Sequence, residues 1–115
     1  MHKNDAIRLQ HMLDAAREAL SFAAGKTRSH LDTDRMLVLS LVKSIEIIGE
    51  AAGKVSLECR SECPAISWAD IIAMRNRLIH AYFDINLDIV WQTVKEELPP
   101  LIVELEKVLS SRDTE

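Results

Sequence analysis

Glycine and proline are scarce in this chain, which has three of each among 115 residues. Long segments without these breakers favour helices over a β architecture that needs many turns. No apolar run approaches the roughly 18 residues of a membrane span. The first ten residues, MHKNDAIRLQ, also lack the apolar core of a secretory signal. These absences predict a soluble, cytoplasmic and mainly helical protein without a membrane partner.

Cysteine is limited to Cys59 and Cys63, in the segment ECRSEC. A C-x-x-x-C pair without nearby histidines is a poor zinc signature. Because cytosolic conditions keep thiols reduced, the pair is predicted to be two structural thiols. No cluster of carboxylates indicates a metal site, and neither a metal nor another cofactor is expected.

A basic excess is also missing, since the formal net charge is -4. This argues against a general nucleic-acid binder, which usually carries a strongly basic surface. A small basic site on an acidic body remains possible, because affinity depends on the local field.

Apolar residues recur at steps of three and four along the chain, which is typical of amphipathic helices. The pattern predicts an all-α fold, an up-and-down bundle of four principal helices in one domain covering residues 1–115. The first helix is predicted over residues 4–24, before Gly25. The second begins near Asp32 or Asp34 and continues to about Val55. Its apolar surface is so wide that a central place in the bundle or a dimer interface must cover it.

Residues 56–66 are predicted to form a loop. A short third helix follows, with Ser67 as N-cap and Asp70 in the reciprocal position of an approximate capping box. A break is expected near residues 83–86. The fourth helix then carries a narrow apolar seam suited to bundle packing, with a kink or break at Pro99–Pro100, where proline removes the helical donor.

The segment RNRLIHAYFD, residues 75–84, combines groups that suit phosphodiester chemistry. His80 can exchange protons near neutral pH, and Arg75 offers a permanently charged fork for phosphate. Asn76 can orient an imidazole or a water, and Arg77 borders His80. Together they suit metal-independent cleavage by an adjacent ribose hydroxyl, with His80 as general base or acid and Arg75 stabilising the transition state.

The geometry of this segment is awkward if it is one helix. Asn76 and His80 would share a face, whereas Arg75 and His80 would be about 140° apart. The last two could converge only through the reach of arginine, a local helix end or a second subunit. Another interpretation is that the polar groups satisfy the carbonyls of a helix C-terminus and complement its dipole.

The segment fits the R-x-x-x-x-H-x-Y signature, with Arg75, His80 and Tyr82 at its positions and Asn76 after the arginine. Together with IIGEAAGKVS (47–56) and residues 66–102, it resembles the HepT-like toxins of the HEPN superfamily over most of the chain. The resemblance implies a HEPN-like fold and a metal-independent endoribonuclease acting on RNA. It also implies a homodimer whose signature segments face each other across a cleft, where Arg75 and Arg77 of both chains would concentrate positive charge.

The resemblance also implies a role and a partner, as the toxin of a type VII-like toxin–antitoxin pair. Its antitoxin would be an MntA-like minimal nucleotidyltransferase that transfers AMP to Tyr82. The added bulk and negative charge beside His80 and Arg75 would block the cleft and repel RNA. Two rival hypotheses are a non-catalytic helical module that binds a nucleotide or docks a nucleotidyltransferase, and a purely structural helical dimer. The intact Arg75/His80 pair favours the enzyme.

Glu46 and Glu50 lie four residues apart on the second helix. Ion pairs with Lys43 and Lys54 are predicted from their helical spacing. A paired-carboxylate acid/base site is the first alternative, and orientation of Arg75 by Glu50 is the second.

Three further features have mainly structural interpretations. GKTR at 25–28 lacks the upstream glycine and the strand of a phosphate loop, although Lys26, Arg28 and His30 are candidates for an extended RNA-binding surface. Trp68 and Trp91 lie at helical core spacing and are predicted to pack rather than to stack on bases.

Overall fold

The computed structural model describes residues 1–81 and 84–113, with residues 79–81 and 112–113 described by their backbone. The all-α prediction is confirmed. The described residues form seven α-helices rather than four, and several of them are short. The described residues form α1 (Lys3–Ala23), α2 (Arg35–Gly53), α3 (Leu57–Glu62), α4 (Trp68–Ile72), α5 (Met74–Leu78), α6 (Leu87–Gln92) and α7 (Leu98–Asp113). A 3-10 turn covers Arg28–Asp32, a π-helical turn covers Thr93–Glu97, and β1 (Ile79–Ala81) pairs antiparallel with β2 (Asp84–Ile85).

The two long helices begin and end close to the predicted residues, because local signals set their ends. Gly25 follows α1 with a φ of 74°, a left-handed conformation that glycine adopts at little cost. Asp34 caps α2 by accepting a hydrogen bond from the Leu37 amide at 3.0 Å.

The second helix is the centre of the molecule. It contacts α1, α4, α5, α6 and the 3-10 turn. Two apolar stripes run along it: one, which includes Leu41 and Ile45, is buried, and on the other Val38 and Val42 are buried while Ile47 is partly buried. Packing within one chain therefore covers most of the apolar surface that the sequence analysis left to either a bundle or a dimer.

The loop prediction for residues 56–66 is wrong, since α3 lies within that range. Ser56 starts this helix by accepting a hydrogen bond from the Cys59 amide at 3.1 Å. Its own hydroxyl and amide donate to the carboxylate of Asp5 at 2.7 and 2.8 Å. The short helix is thus fixed to the start of α1 by contacts that its sequence does not show.

The predicted third helix begins at Trp68 as expected, but it is divided at Ala73 into α4 and α5. Ser67 occupies the N-cap position without making the side-chain hydrogen bond of a capping box. The second part of the divided helix, α5, carries residues 75–78 of the signature segment.

A kink or break was predicted at Pro99–Pro100, but the helical conformation continues through both prolines. Leu98 is in the right-handed helical region, and α7 continues through Pro99 and Pro100. The π-helical turn lies directly before them. Proline has no backbone N–H to donate to the preceding turn. The wider π-helical turn therefore joins α6 to α7 where the regular α-helical hydrogen bonds are interrupted.

Both tryptophans pack against the core, which confirms their predicted role. Trp68 and Trp91 are partly buried there. The Trp68 indole donates to the Cys63 carbonyl at 3.2 Å, and Lys95 lies 5.4 Å from the centroid of the Trp91 ring. None of the helices in the described ranges combines the length and apolarity that a membrane-spanning segment needs.

Candidate active site

The first half of the signature segment lies on α5, beside the central helix. Gly49 of α2 faces the end of α4, just before α5: a Cβ at that position would lie 3.4 Å from the Ile71 carbonyl oxygen and 3.7 Å from that of Ile72, which is contact distance. At the start and end of α5, Met74 and Leu78 are buried in the core. The intervening polar residues are therefore held at the surface, next to α2.

Arg75 contacts a carboxylate of the central helix. Its Nε lies 3.3 Å from Oε1 of Glu46. The prediction that Glu46 pairs with a lysine of its own helix is wrong, because α5 packs where its side chain points. Glu50 is exposed and has no ion pair with a described residue. The orienting contact that the sequence analysis considered for Glu50 is therefore made by Glu46.

Arg77 is turned in another direction. Its Nη2 lies 3.3 Å from Oε1 of Glu97 and 3.5 Å from the carbonyl of Asp70. Asn76 lies between the two arginines and is exposed. Its backbone N–H donates to the Ala73 carbonyl at 3.0 Å. The two arginines are thus anchored on different sides of α5, to carboxylates from different helices.

The helix ends at Leu78, two residues before His80. The Leu78 carbonyl accepts a hydrogen bond from the Asn86 amide at 2.6 Å, and the Asn86 side chain caps α6 through the Ile89 amide at 3.1 Å. The prediction that Asn76 and His80 share a helix face is therefore wrong. The sequence analysis named three ways in which Arg75 and His80 could converge: the reach of arginine, a local helix end or a second subunit. The described backbone contains one of them, the helix end at Leu78.

His80 belongs to β1, which pairs with β2 through Ile79–Ile85 and Ala81–Asp84. The structure describes the backbone of His80, and Tyr82 lies outside the described residues. The roles predicted for both side chains accordingly stay predictions. The pairing places the His80 backbone in an extended segment directly after α5.

The positive charge predicted for this region is partly offset within one chain, since both Arg75 and Arg77 face carboxylates. Arg28, a candidate for an extended RNA surface, is also engaged, at 2.7 Å from Asp88 and 3.1 Å from Asp32. The hydrogen bond to Asp88, followed by that to Asp32, raises the pKa of Arg28. These contacts leave Arg28 less available to phosphate than its sequence position indicates.

A separate groove lies between α4 and α7, on the Arg77 side of α5. Its floor includes Ile71, Met74 and Leu101. Four carboxylates line it, those of Asp70, Glu96, Glu97 and Glu104. Because this surface would repel a phosphate backbone, the Arg75 side of α5 is the better candidate for contact with RNA.

The two cysteines are free and buried, as predicted. Burial, with smaller contributions from the neighbouring Cys63 and Asp5, raises the pKa of the Cys59 thiol to about 11. Burial also raises the pKa of Cys63, although a hydrogen bond to Cys59 opposes this. Among the described residues, no group of three or more His, Cys, Asp and Glu side chains is arranged to hold a metal ion.

Two carboxylates at the site, Glu46 and Glu97, were not found as arginine partners from the sequence. Glu46 is 29 positions from Arg75 and Glu97 is 20 positions from Arg77. Helical spacing reports only neighbours three or four positions away, so no local pattern in one sequence could have found either contact.

Residues 12–108 match the family described as "Ribonuclease HepT-like". A relative from Caldanaerobacter subterraneus subsp. tengcongensis, named "Putative RNase", is 33% identical over 101 residues, covering 88% of this chain and 90% of its own. The "Probable ribonuclease HepT" of Thermococcus cleftensis is 36% identical over 75 residues, 65% of this chain and 68% of its own. No solved structure shows a significant match.

A third relative shows that such a chain can be part of a larger protein. The "Gamma-glutamylcyclotransferase and putative RNase" of Methanocaldococcus jannaschii is 32% identical over 113 residues. These cover 98% of this chain but 51% of the relative. The chain therefore spans about half the length of that protein.

The all-α fold, with the start of the signature segment on the short helix α5, is of the HEPN type. The chain belongs to the HepT-like ribonuclease family, as the resemblance of residues 75–84 implied.

Proposed function

We propose that this protein is a metal-independent endoribonuclease, the toxin of a type VII-like toxin–antitoxin pair, acting as a homodimer in the cytoplasm. The observation that carries the proposal is the position of Arg75, exposed on α5 directly before the extended segment that contains His80. Family membership supports the ribonuclease class. The arginine, the histidine and the adjacent Asn76 supply the chemistry.

In the proposed reaction, the 2′-hydroxyl of a ribose attacks the adjacent phosphorus and the bond to the 5′-oxygen breaks. One His80 accepts the proton of the attacking hydroxyl, and a second proton donor protonates the leaving 5′-oxygen. Arg75 stabilises the negative charge that accumulates on the phosphate oxygens in the transition state. The products are a 2′,3′-cyclic phosphate and a free 5′-hydroxyl.

A homodimer would supply the second proton donor. If two signature segments face each other, the two copies of His80 can divide the acid and base roles, and Arg75 from both chains can face one phosphate. The dimer would bring a second Arg75 to the cleft, while Glu46 and Glu97 of each chain partly neutralise its arginines.

The proposed antitoxin is an MntA-like nucleotidyltransferase that transfers AMP from ATP to the hydroxyl of Tyr82 and releases pyrophosphate. Tyr82 lies two positions after His80 in the sequence. An adenylate at that position would bring bulk and negative charge close to the cleft and would compete with the RNA backbone for Arg75.

RNA cleavage in the presence of a chelator tests the nuclease proposal. Wild type should cleave, whereas Arg75→Ala and His80→Ala should lose activity. Arg17→Ala is a matched control, since the Arg17 side chain is also exposed and paired, at 3.1 Å from Glu106. Cleavage by both site variants at the wild-type rate would refute the catalytic assignment and favour the non-catalytic docking module.

Light scattering and mass spectrometry test the two remaining parts. The dimer should have twice the chain mass of 13.0 kDa, and a monomer at concentrations where cleavage occurs would refute the shared cleft. Incubation with the nucleotidyltransferase and ATP should add AMP to the wild type but not to Tyr82→Phe. Neutralisation without an adduct on Tyr82 would mean that the partner inhibits by binding alone.

A further inference from the structure

We infer that Glu46 is a positioning residue for Arg75, acting through the contact between its carboxylate and the arginine Nε. The inference rests on the proposed ribonuclease function and adds to it a residue from a different helix. Glu46 would not touch the RNA. It would hold the guanidinium in the orientation in which it meets the phosphate.

The atoms that make the contact support this role. Glu46 accepts at the Nε of Arg75, 3.3 Å away. The two terminal nitrogens of Arg75 have no hydrogen bond to a described residue, so the edge that they form is available to phosphate oxygens.

Arg60 provides the contrast within the same chain. Its Nε donates to the Val55 carbonyl at 3.1 Å, and its Nη2 lies 3.3 and 3.1 Å from the carbonyls of Ala52 and Gly53. Arg60 therefore uses Nε and the terminal Nη2 on carbonyls at the C-terminal end of α2, as a structural arginine does. Arg75 is held at one atom only.

The exposure of the Arg75–Glu46 pair indicates that it contributes little to the free energy of folding. The Arg75 side chain is 59% exposed and that of Glu46 is 29% exposed. Ion pairs this open to water contribute little to folding, because water screens the charges and fixing long side chains costs entropy. The same entropy cost is a benefit for catalysis, since an arginine ordered before RNA arrives need not be ordered in the transition state.

The carboxylate comes from the central helix, whose neighbouring side chains are buried in the core. Its neighbours Ile45 and Ile48 on α2 are fully buried, and α4 packs against the same helix. Arg75 itself is on a helix of five residues. A rigid helix thus supplies the reference point for a side chain on a short one, which is the arrangement that a precise site needs.

Steady-state kinetics of RNA cleavage in the presence of a chelator test this role with a matched control from the same helix. Glu46→Gln should lower kcat about 10- to 100-fold and leave KM within about twofold. Glu50→Gln removes a carboxylate one turn away that is exposed and pairs with no described residue; it should leave both constants near the wild-type values. Glu46→Asp keeps the charge at a shorter reach and should lie between wild type and Glu46→Gln.

The double variant Glu46→Gln/Arg75→Ala tests whether Glu46 affects the cleavage rate only by positioning Arg75 or also independently of it. It should be no slower than Arg75→Ala alone, because Glu46 acts only through Arg75. All variants should unfold at the wild-type temperature.

Several outcomes would overturn the inference. These are an unchanged or increased kcat in Glu46→Gln, an equal loss in Glu50→Gln, and additive losses in the double variant. If wild type itself does not cleave RNA, the ribonuclease proposal fails and this inference fails with it. If wild type cleaves and any of the other outcomes is found, only the role of Glu46 is refuted.

Discussion

Oε1 of Glu46 on α2 lies 3.3 Å from Nε of Arg75 on α5, which joins the central helix to the signature segment across 29 positions of sequence. Two residues further along α5, Arg77 contacts Glu97 instead. Neighbouring arginines of one short motif are thus attached to carboxylates on two different elements of the fold. This difference predicts different consequences for their removal.

Arg75→Ala should reduce RNA cleavage by about 100-fold or more, the usual effect of removing a group that stabilises transition-state charge. Arg77→Ala should reduce it less than about tenfold, since Arg77 would contribute to the general field rather than to the reacting phosphate. Single-turnover cleavage of one labelled RNA measures both. Equal losses in the two variants would show that the arginines share one role.

Two glycines of α2 should respond in opposite ways to substitution. Gly53→Ala should raise the free energy of unfolding by about 0.5–1 kcal/mol, because nothing lies within 4 Å of the added Cβ. Gly49→Leu should lower it by about 1–3 kcal/mol, because its side chain would enter the space of the Ile71 and Ile72 carbonyls. Urea unfolding gives both values.

The same two variants test whether the approach of α2 to α4 matters for function. Gly49→Leu should also impair RNA cleavage, since it displaces the element that carries Arg75, whereas Gly53→Ala should cleave normally. Normal cleavage by a folded Gly49→Leu protein would contradict the proposed dependence of the site on this contact.

Asp5→Asn should destabilise the protein by about 2 kcal/mol at neutral pH, since it removes a charged acceptor of hydrogen bonds. Burial by itself raises the pKa of Asp5, but two hydrogen bonds from Ser56 and the positive charges of His2 and the N-terminus outweigh it. The resulting pKa is below the ordinary value of 3.8. The folded state therefore favours the ionised carboxylate.

The stability that ionised Asp5 contributes is present above pH 3.8 and is lost as the pH falls through the lower pKa of the folded state. The difference between wild type and Asp5→Asn should therefore shrink below that pH. Urea unfolding at a series of pH values measures it. A difference that stays constant down to about pH 2 would mean that the pKa of Asp5 is not lowered by folding.

Thr93→Val should stabilise the fold by about 1 kcal/mol. Thr93 is fully buried in the π-helical turn, and its hydroxyl has no hydrogen-bond partner among the described residues. Valine has nearly the same shape and no polar group to desolvate. Thermal unfolding of the variant provides the measurement, with Thr33→Val as a control at an exposed threonine whose hydroxyl has no hydrogen bond to a described residue. A lower melting temperature for Thr93→Val would indicate that the hydroxyl has a partner.

Cys59 should react slowly with thiol reagents in the folded protein. With a pKa of about 11, its thiolate fraction at pH 8 is about 100-fold below that of a thiol at the ordinary value of 9.0, and burial limits access further. The rate of alkylation in native buffer, compared with the rate in denaturant, measures the effect. Rapid native alkylation would show that α3 opens readily.

The long helices were predictable because their signals are local. The Asp34 cap, the stop at Gly25 and the two apolar stripes of α2 are read from neighbouring residues, and the structure contains all of them. Helix α3 was missed because six residues are too few to show a period. Its cap, Ser56, is fixed by Asp5 from the other end of the sequence.

The end of α5 also could not be predicted from the sequence. It is marked by a hydrogen bond from the Asn86 backbone N–H to the Leu78 carbonyl, eight positions away, which helical periodicity does not report. An ideal helix through residues 75–84 was the natural assumption for that sequence. It was wrong at Leu78, and the angle of about 140° between Arg75 and His80 therefore does not apply.

Local periodicity was enough to predict the helical class, and the resemblance carried by residues 75–84 and the flanking segments identified the family. The roles of Arg75, His80 and Tyr82 stay predictions. Folding in three dimensions assigned Glu46 to Arg75 and Glu97 to Arg77, and it divided the predicted third helix. Such contacts depend on which helices pack together and at what distance. That is a property of the whole core, which no stretch of ten residues contains.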